Sequence, residues 1–296
     1  MDWDNLKIFL AVVKAGSVRK GAKYLQMHHS SVVRRIENFE KQIGTKLFNR
    51  TPGGYVPTPI GESLIAKAEK IENEVFEIER TILGGDARLT GELRISMPYG
   101  FATHLLMKDL VAFANKYPDI ELELIVSYEL LNLSKREADV AIRACLQSPE
   151  HLVGQRVVQY ATCAYATPEY LKNKDLNHPA SGCCWIGWGD RITHPEWVRN
   201  SNYPHLPAKG RFNSEIVQLA AAKAGMGIAM MPCYLGDSES SLSRVPPGIP
   251  QPNRDIWLLT HKDLLETARV KVFMDFMSQA LARKKDLLEG HCPFGI

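Results

Sequence analysis

The 296-residue sequence predicts an all-α head, one long connecting helix and an α/β body. Three observations carry this. From Leu6 to Ile43, apolar residues recur at spacings of three and four, as on short amphipathic helices. From Thr58 to about Leu83 the chain is rich in Glu, Lys, Ile and Ala, with no helix breaker after Gly61. Beyond Gly91, short alternating strands take turns with helical segments, the order that builds a parallel sheet with helices on its faces.

In the head, Leu6, Phe9, Leu10 and Val13 share one face of a first helix. Ser17 to Glu40 then reads as two short helices joined by a tight turn. Val18, Ala22 and Leu25 form an apolar stripe on one; Val32, Ile36, Phe39 and Ile43 continue it on the next. Arg34 and Arg35 lie off the stripe. A second helix presented in this way enters a DNA major groove while the first crosses the backbone. Taken alone, these residues also fit an ordinary helical pair with a solvated charged face, so the flanks decide. Leu47-Phe48 and the segment Arg50-Thr-Pro-Gly-Gly-Tyr-Val-Pro suit a turn between short strands, the wing of a winged helix-turn-helix. Residues 1–60 hold ten Lys and Arg against four Asp and Glu, a balance of +6; the whole chain carries +3, which leaves −3 for the rest. A basic head on a mildly acidic body is the footprint of phosphate binding.

Thr58 is a hydroxyl N-cap and Pro59 suits the first helical position that follows. Leu64, Ala68, Ile71, Val75, Ile78 and Ile82 are spaced four, three, four, three and four apart. This seam predicts pairing with a second copy of the chain. A helix lying on its own domain is the other arrangement, and the charged flanks and missing second apolar face favour the pair. Gly84-Gly85 ends the helix at a hinge.

The body opens with the strand Leu93-Arg-Ile-Ser. A helix from Tyr99 to Lys116 follows, with Leu105, Leu106, Leu110 and Phe113 inward. Ile120 to Val126 alternates cleanly and Ala138 to Ile142 is another strand. A second block starts near Ala164. Its helix, Ser214 to Ala224, leads through Gly225-Met-Gly into Ile228-Ala-Met-Met, closed by Pro232. The strand Ile256-Trp-Leu-Leu and a last helix, Thr267 to about Leu288, complete it.

Composition excludes several classes. With 45% hydrophobic and 23% charged residues the chain matches an ordinary globular protein. The start, Met-Asp-Trp-Asp-Asn-Leu-Lys, is unlike a signal peptide, and no run of about eighteen apolar residues is free of charge. A cytoplasmic location without membrane contact is expected. Cys145, Cys163, Cys183, Cys184, Cys233 and Cys292 are scattered with no C-x-x-C spacing, which predicts buried free thiols. His28-His29 and His194-x-Glu196 lack further ligands, so neither metal nor cofactor is expected. No nucleophile–base pair, glycine-rich phosphate loop or carboxylate cluster stands out, so an enzyme is not expected either.

The run Phe9…Ala15-Gly16-Ser17…Ala22…Leu25…Val32…Arg34…Ile36…Phe39-Glu40…Gly44…Leu47-Phe48…Arg50…Thr58-Pro-Ile-Gly-Glu62 resembles the amino-terminal signature of LysR-type transcriptional regulators, over about sixty residues without a gap. Gly91-Glu-Leu-Arg-Ile-Ser, Tyr117-Pro-Asp-Ile-Glu-Leu, Ala138-Asp-Val-Ala-Ile-Arg and Ala224-Gly-Met-Gly-Ile-Ala-Met-Met-Pro resemble that family's effector domain. The resemblance implies a winged helix-turn-helix at 1–58, a dimerising linker helix at 59–84 and a hinge at 85–90. It further implies a two-lobed α/β effector domain at 91–296, with the fold of type 2 periplasmic binding proteins. Lobe one would hold 91–162 and 262–290, and lobe two 163–261. The implied partners are double-stranded DNA at interrupted palindromic promoter sites, a small effector, further copies of the chain up to a homotetramer, and RNA polymerase.

Carried over by position, Arg34 matches the family's usual recognition-helix arginine. His29 stands where glutamine is common, Val33 where serine is, and His28 replaces the usual serine cap. His29 can donate to or accept from a base edge, while Val33 offers only apolar contact, as to a thymine methyl. Ser30, Ser31 and Arg50 suit phosphates, and Ser17, Arg19 and Arg35 complete the DNA-facing set. Gly21 replaces an alanine, at a helix cost of about 1 kcal/mol.

A cleft in this fold binds at the carboxyl ends of parallel strands and at helix amino termini. Met97, Pro98, Tyr99, Gly100 and Phe101 follow the first strand, Ser127 the second and Arg143 the third, and Phe212, Asn213 and Ser214 precede the lobe-two helix. The serine or threonine common early in the first helix is missing, which suits a carboxylate less. Arg143 either restores an anion site or pairs at the surface with Glu137 or Asp139. The expected hinges are Tyr160–Ala164 and Leu259–His261. An oxidant response through lobe-two thiols is a second mechanism; around Cys183-Cys184 no charge appears before Asp190, which favours inert thiols. A DNA-architectural protein without an effector is the third, and it would leave the body unused.

Overall fold

The computed structural model describes residues 2–51, 54–84, 88–128, 138–150, 152–172, 174–178, 181–188 and 196–291. The chain forms two compact units, Met1–Thr81 and Ile82–Ile296.

The first unit begins with helices α1 (Trp3–Ala15), α2 (Val18–Tyr24) and α3 (His29–Ile43). Strands β1 (Phe48–Thr51) and β2 (Gly54–Pro57) pair antiparallel as the wing. Helix α4 (Pro59–Gly84) follows. Leu6, Phe9, Leu10, Val18, Ala22, Val32, Ile36 and Phe39 close one core, as their spacing predicts. Gly21 has a reason beyond propensity: a Cβ there would lie 3.1–3.2 Å from the backbone of Ala11 and Val12, so glycine lets α2 cross α1 at close range. Thr58 caps α4 through its hydroxyl, which accepts the Gly61 N–H at 3.1 Å and donates to Lys46 O at 2.8 Å.

The seam on α4 divides into two parts. Ala68 is fully buried in the head's core, and Leu64 and Ile65 pack against it. Ile71 and Ile78 are 38% and 60% exposed. Gly61 explains the split. A Cβ there would meet Leu47 O at 2.3 Å, so α4 starts in backbone contact with the head and its early turns are used up on it. The expected continuous seam from Leu64 to Ile82 is therefore corrected: Leu64 and Ala68 belong to the head. The side chain of Ile82, and Gly85 beside Gly84, lie outside the described residues.

The second unit runs β3 (Gly91–Met97), a π-helical stretch (Phe101–Leu106) continuing as α5 (Met107–Lys116), β4 (Ile120–Val126), β5 (Val140–Cys145) and β6 (Val153–Ala166). Then come α6 (Pro168–Leu171), β7 (Trp185–Trp188), α7 (Glu196–Arg199), β8 (Ala208–Phe212), α8 (Glu215–Lys223), β9 (Ala229–Pro232), α9 (Cys233–Gly236) and β10 (Ser243–Arg244). The chain returns through β11 (Gln251–Thr260), α10 (Ala268–Arg283) and α11 (Lys285–Leu288). Seven of these strands form one sheet, in the order β10-β6-β11-β5-β3-β4, with β9 also on β6.

The expected parallel sheet is mixed instead. β3 is parallel to β4 and β5, but β11 enters antiparallel between β5 and β6. That insertion joins the two lobes. β11 pairs with β5 from Asp255 to Thr260, while β6 pairs with β9 and β10 beyond Ala161. The ladder between β6 and β11 breaks register between Pro252 and Asp255, opposite Tyr160. Leu259 and Thr260, expected at a hinge, are fully buried and paired on both sides. Leu93, Ile95 and Met97 of β3 are fully buried, as are Phe113 of α5 and Phe273 of α10, whose rings meet edge to face at 5.0 Å. Lobe two has its own core around Trp185, Val198, Leu206 and Ile228. Asp237 knits its far side: Arg244 gives it two hydrogen bonds of 2.9 and 2.6 Å, and Tyr165 a third of 2.8 Å.

Candidate DNA-binding face and ligand cleft

On the first unit, α3 presents His29, Ser30, Arg34 and Arg35 exposed and keeps Val32, Ile36 and Phe39 inside. His28 occupies the cap position but makes no side-chain cap; its carbonyl accepts the Ser31 N–H at 3.0 Å, which leaves the N–H groups of His29 and Ser30 to face an outside acceptor. The expected DNA-facing residues separate by what holds them. Arg34 and Arg19 make no ion pair among the described residues. Arg35 stands 3.7 Å from Asp4, and Arg50 is hydrogen-bonded to Glu37 and lies 5.5 Å over the Tyr55 ring. The bond from Glu37 raises the Arg50 pKa further. Ser17 is engaged as the cap of α2, accepting the Lys20 N–H at 3.2 Å. Ser31 is half-buried, and Val33 packs against the head's core, which limits its reach toward a base.

The wing is hung on one buried acid that sequence spacing did not single out. Glu40 accepts the N–H groups of Leu47 and Phe48 at 2.8 and 3.2 Å and the Lys46 ammonium at 2.7 Å.

On the second unit, a cavity of about 970 Å3 lies between the lobes. Lobe one contributes Pro98, Phe101, Tyr128 and Arg143; lobe two contributes Trp185, Trp188, Trp197, Tyr203 and Gln218; Tyr160 and Arg254 come from the crossing strands. Of the expected ligand residues, Pro98, Phe101 and Arg143 reach its wall. Met97 is core, Tyr99 is half exposed with its ring 6.2 Å from that of Tyr128, and Ser127 turns its N–H back to Met97 O. Phe212 packs against the core and Asn213 is exposed.

Two expectations need correction. The amino terminus near Tyr99 is not open to a ligand: Glu215 of lobe two accepts the Gly100 N–H at 3.2 Å. Beside it, the Ser214 hydroxyl stands 3.4 Å from Tyr128 Oη, so lobe two touches lobe one directly. Arg143 lies inside the protein and not at a rim or surface. It is 4% exposed and donates to Ser96 Oγ at 2.5 Å and to Ile142 O at 3.2 Å. Burial pushes its guanidinium down to about 10. Asp139, also buried, instead accepts the Arg94 N–H at 2.9 Å; Glu137 lies outside the described residues.

The thiols are enclosed. Cys163, Cys183, Cys184 and Cys233 are all buried, and burial raises the Cys163 pKa and pushes Cys233 up to about 12. Raised in this way, Cys163 and Cys233 are poor nucleophiles at neutral pH. Cys292 and His194 lie outside the described residues. Among the described residues no group of three potential ligands stands close enough to hold a metal, and no helix is long and apolar enough to cross a membrane.

Glu40 gives a pH test. Burial alone would raise its pKa, but the Lys46 ammonium and the two N–H groups outweigh burial and hold it below the ordinary carboxylate value. A depressed folded pKa gives stability that is present above the unfolded value and lost as pH falls through the folded one. Glu40→Gln is expected to destabilise the first unit by about 1–3 kcal/mol at neutral pH. In urea melts at stepped pH, that gap should close toward strongly acid conditions; a gap independent of pH would contradict the charged bridge.

Comparison with known proteins agrees with this geometry. Residues 3–62 match the bacterial regulatory helix-turn-helix protein, lysR family, and residues 86–282 match the LysR substrate binding domain. The HTH-type transcriptional regulator CrgA of Neisseria meningitidis (serogroup C) is 26% identical over 94% of this chain and 96% of its own. An HTH-type transcriptional repressor of Pseudomonas aeruginosa is 30% identical over 74% of this chain and 72% of its own. The full-length structure of the Vibrio cholerae virulence activator AphB is similar in fold, with a TM-score of 0.63 at 24% identity over 93% of this chain and 98% of that one. The chain belongs to the LysR family of DNA-binding transcriptional regulators, with a helix-turn-helix head and a substrate-binding body.

Proposed function

We propose that this chain controls transcription by binding promoter DNA through its head, and that a small molecule in the inter-lobe cleft sets the strength or the outcome of that binding. The cavity of about 970 Å3, to which both lobes contribute, is the observation that supports this most. Ser214 and Glu215 meet Tyr128 and Gly100 across it, so a ligand that separates or tightens those contacts changes the arrangement of the lobes. It does so only by binding one arrangement more tightly than the other.

At the DNA, the uncapped start of α3 takes a phosphate, Arg34 and His29 reach the groove, and Arg19 and the wing Arg50 hold the backbone. Ile71, Val75 and Ile78 are the part of α4 left for a second copy, which fits a dimer on interrupted palindromic sites. Assembly to a homotetramer, contact with RNA polymerase and a cytoplasmic location belong to the same reading. The thiol alternative is the weaker one, since the described lobe-two cysteines are buried.

Two measurements test it. Arg34→Ala is expected to weaken binding to a promoter fragment by about 1–3 kcal/mol. Arg35→Ala and Arg50→Ala should cost less, because Asp4 and Glu37 already hold those guanidiniums. Equal affinity of Arg34→Ala and the parent would remove α3 from the groove. The second is a thermal-shift screen of metabolites and oxidants. A cleft ligand at 100 times its Kd adds about 2.7 kcal/mol. The shift should fall in Trp188→Ala and persist when Cys183 and Cys184 are both changed to serine. The opposite pattern would transfer sensing to the thiols.

A further inference from the structure

The place where this fold offers the positive end of a helix to a ligand is filled by the protein itself. Glu215 opens α8 in lobe two, and its Oε1 accepts the Gly100 N–H of lobe one. The fit is tight. A Cβ on Gly100 would lie 2.6 Å from that oxygen and 2.8 Å from Tyr234 Oη. An anionic head group brought to this corner would meet a carboxylate already in position, at the cost of like-charge repulsion in a partly desolvated cavity.

One turn along α8, on the same face, is Gln218. It is 1% exposed, lines the cavity, and its Nε2 donates to Ile186 O and Gly187 O at 3.3 and 3.1 Å. Two carbonyls on one side fix which end of the amide faces them, because only the NH2 can donate. The Oε1 atom therefore points away from them, and it is buried with no hydrogen-bond partner among the described residues. Leaving a buried acceptor without a donor is costly, and a ligand donor recovers that cost.

Two arginines, Arg143 and Arg254, also line the cavity. Glu215 is the only carboxylate among the described cavity residues. Arg143 is turned to Ser96 Oγ and Ile142 O, and Arg254 is exposed. Tyr160, pushed up to about 12 by burial, stays a neutral phenol. The lobe-two wall is aromatic, with Trp185 and Trp197 edge to face at 5.4 Å and Trp188 partly exposed beside them. Aromatic faces attract cations and stack on flat rings.

We propose that the cleft is built for an aromatic ligand whose buried end is a protonated amine, the ammonium donating to Glu215 and to Gln218 Oε1. The carboxylate analogue of the same body is refused at that end. This rests on the effector reading above and narrows it to a chemical class.

The test is calorimetry on the full chain with tryptamine and indole-3-acetate, which carry the same ring and opposite charge. Tryptamine should bind and indole-3-acetate should bind at least about tenfold more weakly, the scale of one charge-assisted hydrogen bond. Glu215→Gln keeps an acceptor for the Gly100 N–H and removes only the charge, so the fold is retained while tryptamine weakens by at least about tenfold. Gln218→Met, a second variant, should weaken it as well. Indole-3-acetate binding as tightly as tryptamine, or tryptamine indifferent to Glu215→Gln, overturns the proposal. If the acetate binds and Trp188→Ala abolishes it, the effector reading stands and the amine claim alone falls. If neither probe binds and no metabolite shifts the melting temperature, both fall.

Discussion

The two lobes that face the cleft are joined through the antiparallel pairing of β6 with β11. These strands cross from one lobe to the other within a single sheet, so the lobes share a floor instead of hanging on loops. Gly154 shows how closely the pair is set: a Cβ there would lie 1.9 Å from Leu258 O. Beyond that point the ladder loses register between Pro252 and Asp255, and the freed strand turns Arg254 toward the cavity that Tyr160 also lines. A second shift of register follows between Ile256 and Trp257. At the far edge the lobes meet again, where Glu215 and Ser214 reach Gly100 and Tyr128.

The head depends on a different kind of constraint. Its core is made by three short helices, yet what places the DNA-facing groups is polar. Glu40 ties the wing to α3 through Leu47 and Phe48, and the Thr58 hydroxyl ties the start of α4 to Lys46. The wing in turn carries Arg50, held by Glu37 of α3. Helix α3 and the wing are thus tied together at both Glu40 and Glu37.

Much of this was legible in the sequence because it is local. Spacings of three and four located the head helices and their core, and Thr58-Pro59 marked the start of the linker helix. What could not be read was long-range. The Glu215–Gly100 contact joins residues 115 apart, and no periodicity reports it. The fourteen residues of β6 were recognised only in part, because a strand that borders two lobes changes its burial pattern along its length. The π-helical turn at Phe101–Leu106 has no signature in residue type. Arg143, expected to restore an anion site or to pair at the surface, is buried instead; its partner Ser96 comes near only through the register of β3 and β5. The linker seam was misassigned in its first half for the same reason: spacing shows that a helix has an apolar face, not what that face meets.

Reciprocity between the two ends is the most direct measurement. Promoter affinity is titrated with and without a saturating cleft ligand, and ligand affinity with and without saturating DNA. Linkage requires the two ratios to be equal, typically 5–150-fold for coupled sites. A ligand-dependent change in DNA affinity, mirrored by the same change in ligand affinity, is the result predicted. A ligand that occupies the cleft and leaves promoter affinity and transcription from that promoter unchanged would contradict it.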